Sequence, residues 1–198
     1  MISGIADVPN ASIEVACRRI RHWAEPRWKE WRDLADPYCE LPLPAGICGP
    51  AEVLLREALA AAVPSLTWFS TGGEADPAGG VPCGGMVPSD GWRHEAHSWA
   101  EGVRQDGSRL IADITADQFG YGDVVVTDAG DSRYRRTYPL SRTPMPGMLC
   151  DTTGLAWAAD YALSRNGADI SVRVHTGPAI GCLRDARRET IRILGGIG

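Results

Sequence analysis

Three side chains in this sequence have the types that cysteine acyl chemistry needs: Cys48, His97 and Asp113. That chemistry requires a thiolate, a base that also protonates the leaving group, and a group that fixes the tautomer of the base. His97, Trp99 and Glu101 alternate with Ser98 and Ala100, the period of a strand with two distinct faces. Gln105-Asp106-Gly107-Ser108 is a turn signal, and Leu110 to Ile114 reads as the returning strand. An antiparallel return brings the ends of a hairpin together, so an imidazole and a carboxylate can meet there. Asp113 lies inside an apolar run, where a carboxylate must find a partner.

The register of this hairpin decides whether they meet. A two-residue Asp106-Gly107 loop would set His97 opposite Ala116 and turn Asp113 to the other face. A three-residue Gln105-Asp106-Gly107 loop sets Trp99 opposite Asp113. His97 is then a same-face diagonal neighbour of Asp113, roughly 5–8 Å away at the β-carbons. Three-residue loops want a left-handed last residue, and Gly107 can supply it. A catalytic pair therefore requires the odd loop or a bulge.

Cys48 is placed by the elements around it. Leu41 to Gly49 is rich in proline and glycine and is expected to be extended; Pro50 then opens a helix to Ala62 rich in Ala, Leu and Glu. A cysteine at this threshold meets unpaired backbone amides and the positive end of the helix dipole, which favour a thiolate and a developing oxyanion. The competing account of Cys48 is a small buried side chain. A rival for His97 is zinc bound by His94, His97 and a cysteine, but residues three apart on a strand face opposite ways.

The residues around the three carry a resemblance. His97-Ser98-Trp99-Ala100-Glu101 followed by Asp113-Ile114-Thr115-Ala116-Asp117-Gln118-Phe119-Gly120 resembles the His-x-Trp and Asp-x-Thr-Ala-x-Gln-Phe pattern of papain-like and transglutaminase-like cysteine enzymes. These include bacterial protein-deamidating domains. Gly46 to Ala51 looks like their nucleophile helix, and Asp131-Ser132-Arg133-Tyr134 also fits, so the resemblance spans about residues 46–134. It implies Cys48 as nucleophile, His97 as base and Asp113 as its orienter, with Gln118 structural rather than an oxyanion donor. No glutamine precedes Cys48 as papain itself would require. The oxyanion donors would then be backbone amides and an unassigned side chain.

The rest of the chain is expected to frame this core. A first helix capped at Asn10 or Ser12 carries Ile13, Ala16, Cys17, Ile20 and Trp23, is broken or restarted at Glu25-Pro26, and continues its stripe through Trp28, Trp31 and Leu34. Thr71 to Gly85, with six glycines, is expected to be a long loop, either a flap over the site or plain disorder. Asp123 to Thr127 and Arg133 to Leu140 read as strands, and Arg142 to Met148 as a proline-rich connection. A helix capped at Thr152 or Thr153 runs through Leu163, followed by a strand over 170–174 and a helix over 176–194.

Composition bounds the classes. At 198 residues, 44% hydrophobic and 23% charged, one soluble catalytic domain is expected: residues 1–36 helical, 46–134 the catalytic core, 150–198 helix, strand and helix. A net charge of −5 leaves no basic footprint for nucleic acid or an anionic membrane, and no run approaches the roughly 20 apolar residues of a membrane span. Six cysteines without CxxC spacing point to a reduced, cytoplasmic protein, although export without a signal peptide would leave the same composition. The expected fold is α+β, papain-like or transglutaminase-like, with the nucleophile helix packed on an antiparallel sheet. The expected function is acyl transfer through a Cys48 thioester, without cofactor or metal, on a peptide, protein or acyl-thioester substrate. Hydrolysis or deamidation of an amide comes first and an amide-forming acyltransferase is the alternative. From another class, an inactive fold member could serve as a binding or immunity protein.

Overall fold

The structure, a computed structural model, describes residues 8–35, 43–74, 84–142 and 149–165. The expected strand over 170–174, the helix over 176–194 and most of the proline-rich connection lie outside these residues, as do positions 75–83 of the glycine-rich segment. Within them the chain is α+β, with three helices and two antiparallel sheets. No helix among the described residues is long and apolar enough to cross a membrane.

Helix α1 spans Asn10–Ala35. Its fully buried residues, Ile13, Cys17, Ile20, Ala24 and Trp28, follow one another at three- and four-residue steps, the stripe of a helix with one face in the core. Pro26 was expected to interrupt this helix and does not. A proline strips one hydrogen bond from a helix interior. Here burial continues across it, from Ala24 to Trp28, and Arg27 donates from Nη1 to the Trp23 carbonyl at 2.8 Å within the same turn.

Residues 43–47 form turns rather than the expected extended segment, with Ile47 N–H donating to the Pro44 carbonyl at 3.0 Å. Helix α2, Cys48–Ala62, therefore begins at the cysteine itself, two residues before Pro50. Every residue from Pro50 to Arg56 is buried, because α2 lies between α1, a third helix and the sheet. Even Arg56 is covered, its guanidinium donating to Ser70 Oγ at 2.6 Å.

The main sheet has the order β1-β3-β4-β5, built from Thr67–Gly73, His97–Val103, Arg109–Asp113 and Val125–Asp128. Thr71 to Gly73 thus belongs to a strand rather than a loop. β-branched and aromatic residues from Thr67 to Thr71 favour extension, and pairing with β3 carries the strand on to Gly73. A second, two-stranded sheet pairs β2 (Gly85–Met86) with β6 (Tyr134–Arg135), so the strand expected over 133–140 is only two residues long. Beyond Arg135 the chain instead lies along β1, Thr137 and Tyr138 both donating to the Gly72 carbonyl at 3.0 Å.

Alternation along the strands divides the core in two. Ala100, Leu110 and Ala112 pack with Leu54, Leu55, Ile13 and Trp28 on the helical face. Trp99 and Ile111 face the other way, onto Met86, Phe119 and Tyr134 beneath the small sheet. Helix α3, Leu149–Arg165, starts earlier than the threonines expected to cap it and packs on α2.

The α2–α3 contact depends on one glycine. A β-carbon on Gly154 would lie 2.6 Å from the Pro50 carbonyl oxygen and 2.6 Å from Val53 Cβ. Gly to Ala in a helix is ordinarily worth up to about 1 kcal/mol in favour of alanine. Overpacking against backbone costs about 1–3 kcal/mol, so the clash wins. Gly154→Ala is expected to lower the melting temperature in a thermal scan, where propensity alone would raise it.

Candidate active site

The β3–β4 hairpin has the odd loop. Ala100 pairs with Ala112, Glu101 with Ile111, Gly102 with Leu110 and Val103 with Arg109. Arg104 N–H donates to the Ser108 carbonyl at 2.9 Å and Gly107 N–H to the Arg104 carbonyl at 3.0 Å, enclosing the three residues Gln105-Asp106-Gly107. Gly107 takes φ +85°, the left-handed geometry this loop needs. The β3–β4 ladder ends at Ala100 and Ala112, so the last residues of the hairpin meet through side chains. His97 Nε2 lies 2.7 Å from Asp113 Oδ2, with both side chains almost completely buried.

Asp113 is saturated with donors. Oδ2 accepts from His97 Nε2–H and from the Tyr134 hydroxyl at 3.0 Å; Oδ1 accepts from Thr115 N–H at 2.8 Å and Thr115 Oγ1–H at 3.0 Å. Burial by itself would raise the pKa of this carboxyl. The positive charge and hydrogen bond of His97, with the two bonds from Thr115, outweigh it and hold Asp113 below the usual carboxylate range. Thr115 leads into a single 3-10 turn, Ala116–Phe119, and Gln118 Nε2 donates to the Thr115 carbonyl at 2.9 Å. That bond gives Gln118 a structural task in the loop that carries Asp113.

The His97 ring is boxed by aromatic groups. Phe119 meets it edge-on with centroids 4.7 Å apart, and Trp99 and Tyr134 lie at 6.0 and 6.4 Å. With Nε2 given to Asp113, the ring nitrogen that remains is Nδ1, which is buried. Cys48, partly buried at the first position of α2, is the partner that its electrostatics identify. Burial would raise the thiol pKa, but the His97 imidazole, by hydrogen bond and charge, and the Ser98 backbone N–H bring it below the ordinary thiol value. Burial likewise works against protonated His97, and the Asp113 carboxylate followed by Cys48 reverses it, raising the imidazole pKa. Both shifts favour a thiolate–imidazolium pair.

Backbone amides complete the surroundings. The first amides of any helix have no acceptor within it; in α2 the first intrahelical bond is from Ala51 N–H to the Ile47 carbonyl at 3.0 Å. Cys48 and Gly49 therefore present N–H groups at the helix start, whereas Pro50 has none. Cys17, on α1, contrasts with Cys48: burial, then the nearby Asp113 charge, push its thiol far above the ordinary range. For the zinc alternative, His97 Nε2 is already committed to Asp113, and among the described residues no group of three or more His, Cys, Asp or Glu side chains is placed to hold a metal.

Sequence reasoning singled out Cys48, His97 and Asp113, and the structure brings all three to one end of the sheet. It overlooked the groups that hold Asp113. It also overlooked Arg21 on α1, which holds the loop after Asp113: its guanidinium bonds the Ile114 carbonyl, takes Asp117 through two bonds of 2.8 and 2.7 Å, reaches the Asp123 carbonyl at 3.1 Å and pairs with Glu25 at 2.7 Å. A cation four residues after Cys17 and seven before Trp28, on the apolar stripe, was the available signal. Thr115, two residues after an aspartate, had the spacing of an Asx turn. Tyr134 stood in the Asp131-Ser132-Arg133-Tyr134 tract that carried part of the resemblance, but nothing local tied it to Asp113.

Compared with known proteins, the chain matches no family model, no curated protein and no solved structure.

The saturated carboxylate generates a stability prediction. Because the Asp113 pKa is lowered in the folded protein, its contribution is present above the unfolded value of about 4 and is lost as pH falls through the folded one. In Asp113→Asn an amide N–H must face either the Thr115 donors or those of His97 and Tyr134. A loss of about 2–4 kcal/mol at neutral pH is expected. Denaturant unfolding of both proteins from neutral to acid pH should show the difference shrinking as pH falls; a constant gap would remove Asp113 from the acid transition.

Proposed function

We propose that the chain is a cysteine-dependent acyl-transfer enzyme of papain-like or transglutaminase-like architecture. Cys48 is the nucleophile, His97 the base and Asp113 its orienter, and hydrolysis or deamidation of an amide is the reaction. The observation that carries this reading is the state of one imidazole: Nε2 is locked on an ionised, fully satisfied carboxylate, and Nδ1 is left for a thiol at the start of a helix.

The steps follow from that geometry. Nδ1 takes the thiol proton and Sγ attacks the substrate carbonyl, forming a C–S bond and an oxyanion near the Cys48 and Gly49 amides. The imidazolium then gives its Nδ1 proton to the leaving nitrogen, the C–N bond breaks, and ammonia or an amine departs from a Cys48 thioester. Water, losing a proton to Nδ1, attacks the thioester and releases the acid and the thiol. With an amine in place of water, the same steps make an amide. Throughout, Asp113 holds the tautomer and stabilises the imidazolium without taking the proton itself.

An activated ester tests this without knowledge of the natural substrate. With p-nitrophenyl acetate, a burst of about one nitrophenol per folded molecule is expected, with the mass of one acetyl group mapped to Cys48. Cys48→Ala should show no burst, and acylation in the folded fraction of Asp113→Asn should slow by ~10²–10⁴-fold. A protein that stays unacylated while folded would instead support an inactive fold member that binds a partner. Speeding of deacylation by an added primary amine distinguishes an amide-forming acyltransferase from a hydrolase.

A further inference from the structure

We propose that Tyr134 is a positioning residue for the His97–Asp113 pair, holding the carboxylate by the same oxygen that accepts the imidazole N–H. This rests on the functional reading above and extends it to a fourth side chain. The Tyr134 hydroxyl donates to Asp113 Oδ2 at 3.0 Å, and His97 Nε2 stands 2.7 Å from that same atom. With Thr115 on Oδ1, the two oxygens are distinguished by their donors, and the carboxylate cannot rotate without breaking a buried bond on each side.

The way Tyr134 arrives supports a dedicated role. It belongs to the Asp131-Ser132-Arg133-Tyr134 tract, which the three-residue mechanism leaves without a task. Asp131 accepts from Arg133 N–H at 3.0 Å and from Thr127 Oγ1 at 3.0 Å, and the Arg133 guanidinium closes on it at 2.6 Å. Tyr134 N–H then donates to the Asp131 carbonyl at 3.1 Å, and the ring turns inward edge-on to Trp99, with centroids 5.1 Å apart. A buried tyrosine hydroxyl ordinarily finds a partner; here the partner is the one carboxylate that orients the base.

The consequence is electrostatic. A hydroxyl donating to Oδ2 takes up part of the negative charge that would otherwise stabilise the imidazolium, so it moderates the basicity of His97. The other groups near the pair are Cys48 from α2, Cys17 from α1, and Asp131 and Arg133 beside Tyr134. Cys17 stays protonated, and Asp131 and Arg133 neutralise each other in their own ion pair. Tyr134 itself is pushed far above its ordinary range by burial and by Asp113, so it remains a donor.

The test is a 15N NMR titration of the His97 ring in the full chain and in Tyr134→Phe, with the signals assigned by their loss in His97→Gln. Phenylalanine keeps the ring and removes only the hydroxyl. His97 is expected to lose its proton at a pH higher by about 0.5–1 unit in the variant. Superimposed curves in a folded variant would reduce Tyr134 to a packing residue and overturn the proposal. If the variant does not fold, the parent protein carries the test. A slowly exchanging Tyr134 hydroxyl proton with a cross-peak to the His97 Nε2 proton supports the proposal, and one exchanging freely with solvent overturns it. Either result is independent of whether Cys48 acylates, so a failure of the functional reading would be seen separately in the ester burst.

Discussion

The structure around this site depends on a buried carboxylate that must stay charged. Taking an ionised Asp out of water costs several kcal/mol unless donors replace the solvent, and Asp113 is 1% exposed. Four bonds replace the water, drawn from β3, from the turn after β4 and from β6. That requirement explains why the hairpin keeps an odd loop, why a threonine stands two residues after the aspartate, and why a two-stranded sheet closes over Trp99 and Phe119. Losing any one donor would leave the others to carry the same charge.

The N-terminal helix is part of the same arrangement. Arg21 is 5% exposed, and its guanidinium is shared among the Ile114 carbonyl, Asp117, the Asp123 carbonyl and Glu25, with its carbon 5.1 Å from the Trp28 ring centroid. It binds the loop that carries Asp113 to a helix about a hundred residues earlier in the chain. On the same helical face of the sheet, Gly154 lets α3 come down on the first turns of α2, which fixes the helix that begins at Cys48. Cys48 and the loop that carries Asp113 are thus held by different helices, and His97, at the start of β3, lies between them.

How much of this was legible follows from how local each cause is. The hairpin could be narrowed to two registers, with an odd loop or a bulge needed for His97 to meet Asp113; Gly107 answers the odd loop's conformational demand within three residues, and the pairing of Ala100 with Ala112 carries that register. Cys48 at a helix start could be read from the composition after it, although the helix begins at the cysteine rather than at Pro50. Distant causes were hidden. The strand from Thr67 to Gly73 ends in two glycines that read as loop, and only pairing with β3 makes them strand. Pro26 reads as a break, yet core burial on both sides outweighs one missing helix bond. Tyr134 reaches Asp113 from 21 residues away, through a sheet of two-residue strands that no periodicity can announce.

If Cys48 and His97 share a proton as one pair, the pH dependence of Cys48 alkylation by iodoacetamide will show it at the sulfur. The reaction reads the thiolate at that one residue when the labelled peptide is mapped by mass, and it needs no knowledge of the substrate. The rate is expected to rise with a midpoint well below the roughly 8.5 of a free thiol, and the midpoint to return toward that value in His97→Gln. A midpoint at or above the free-thiol value in the parent protein, unchanged by His97→Gln, would contradict it.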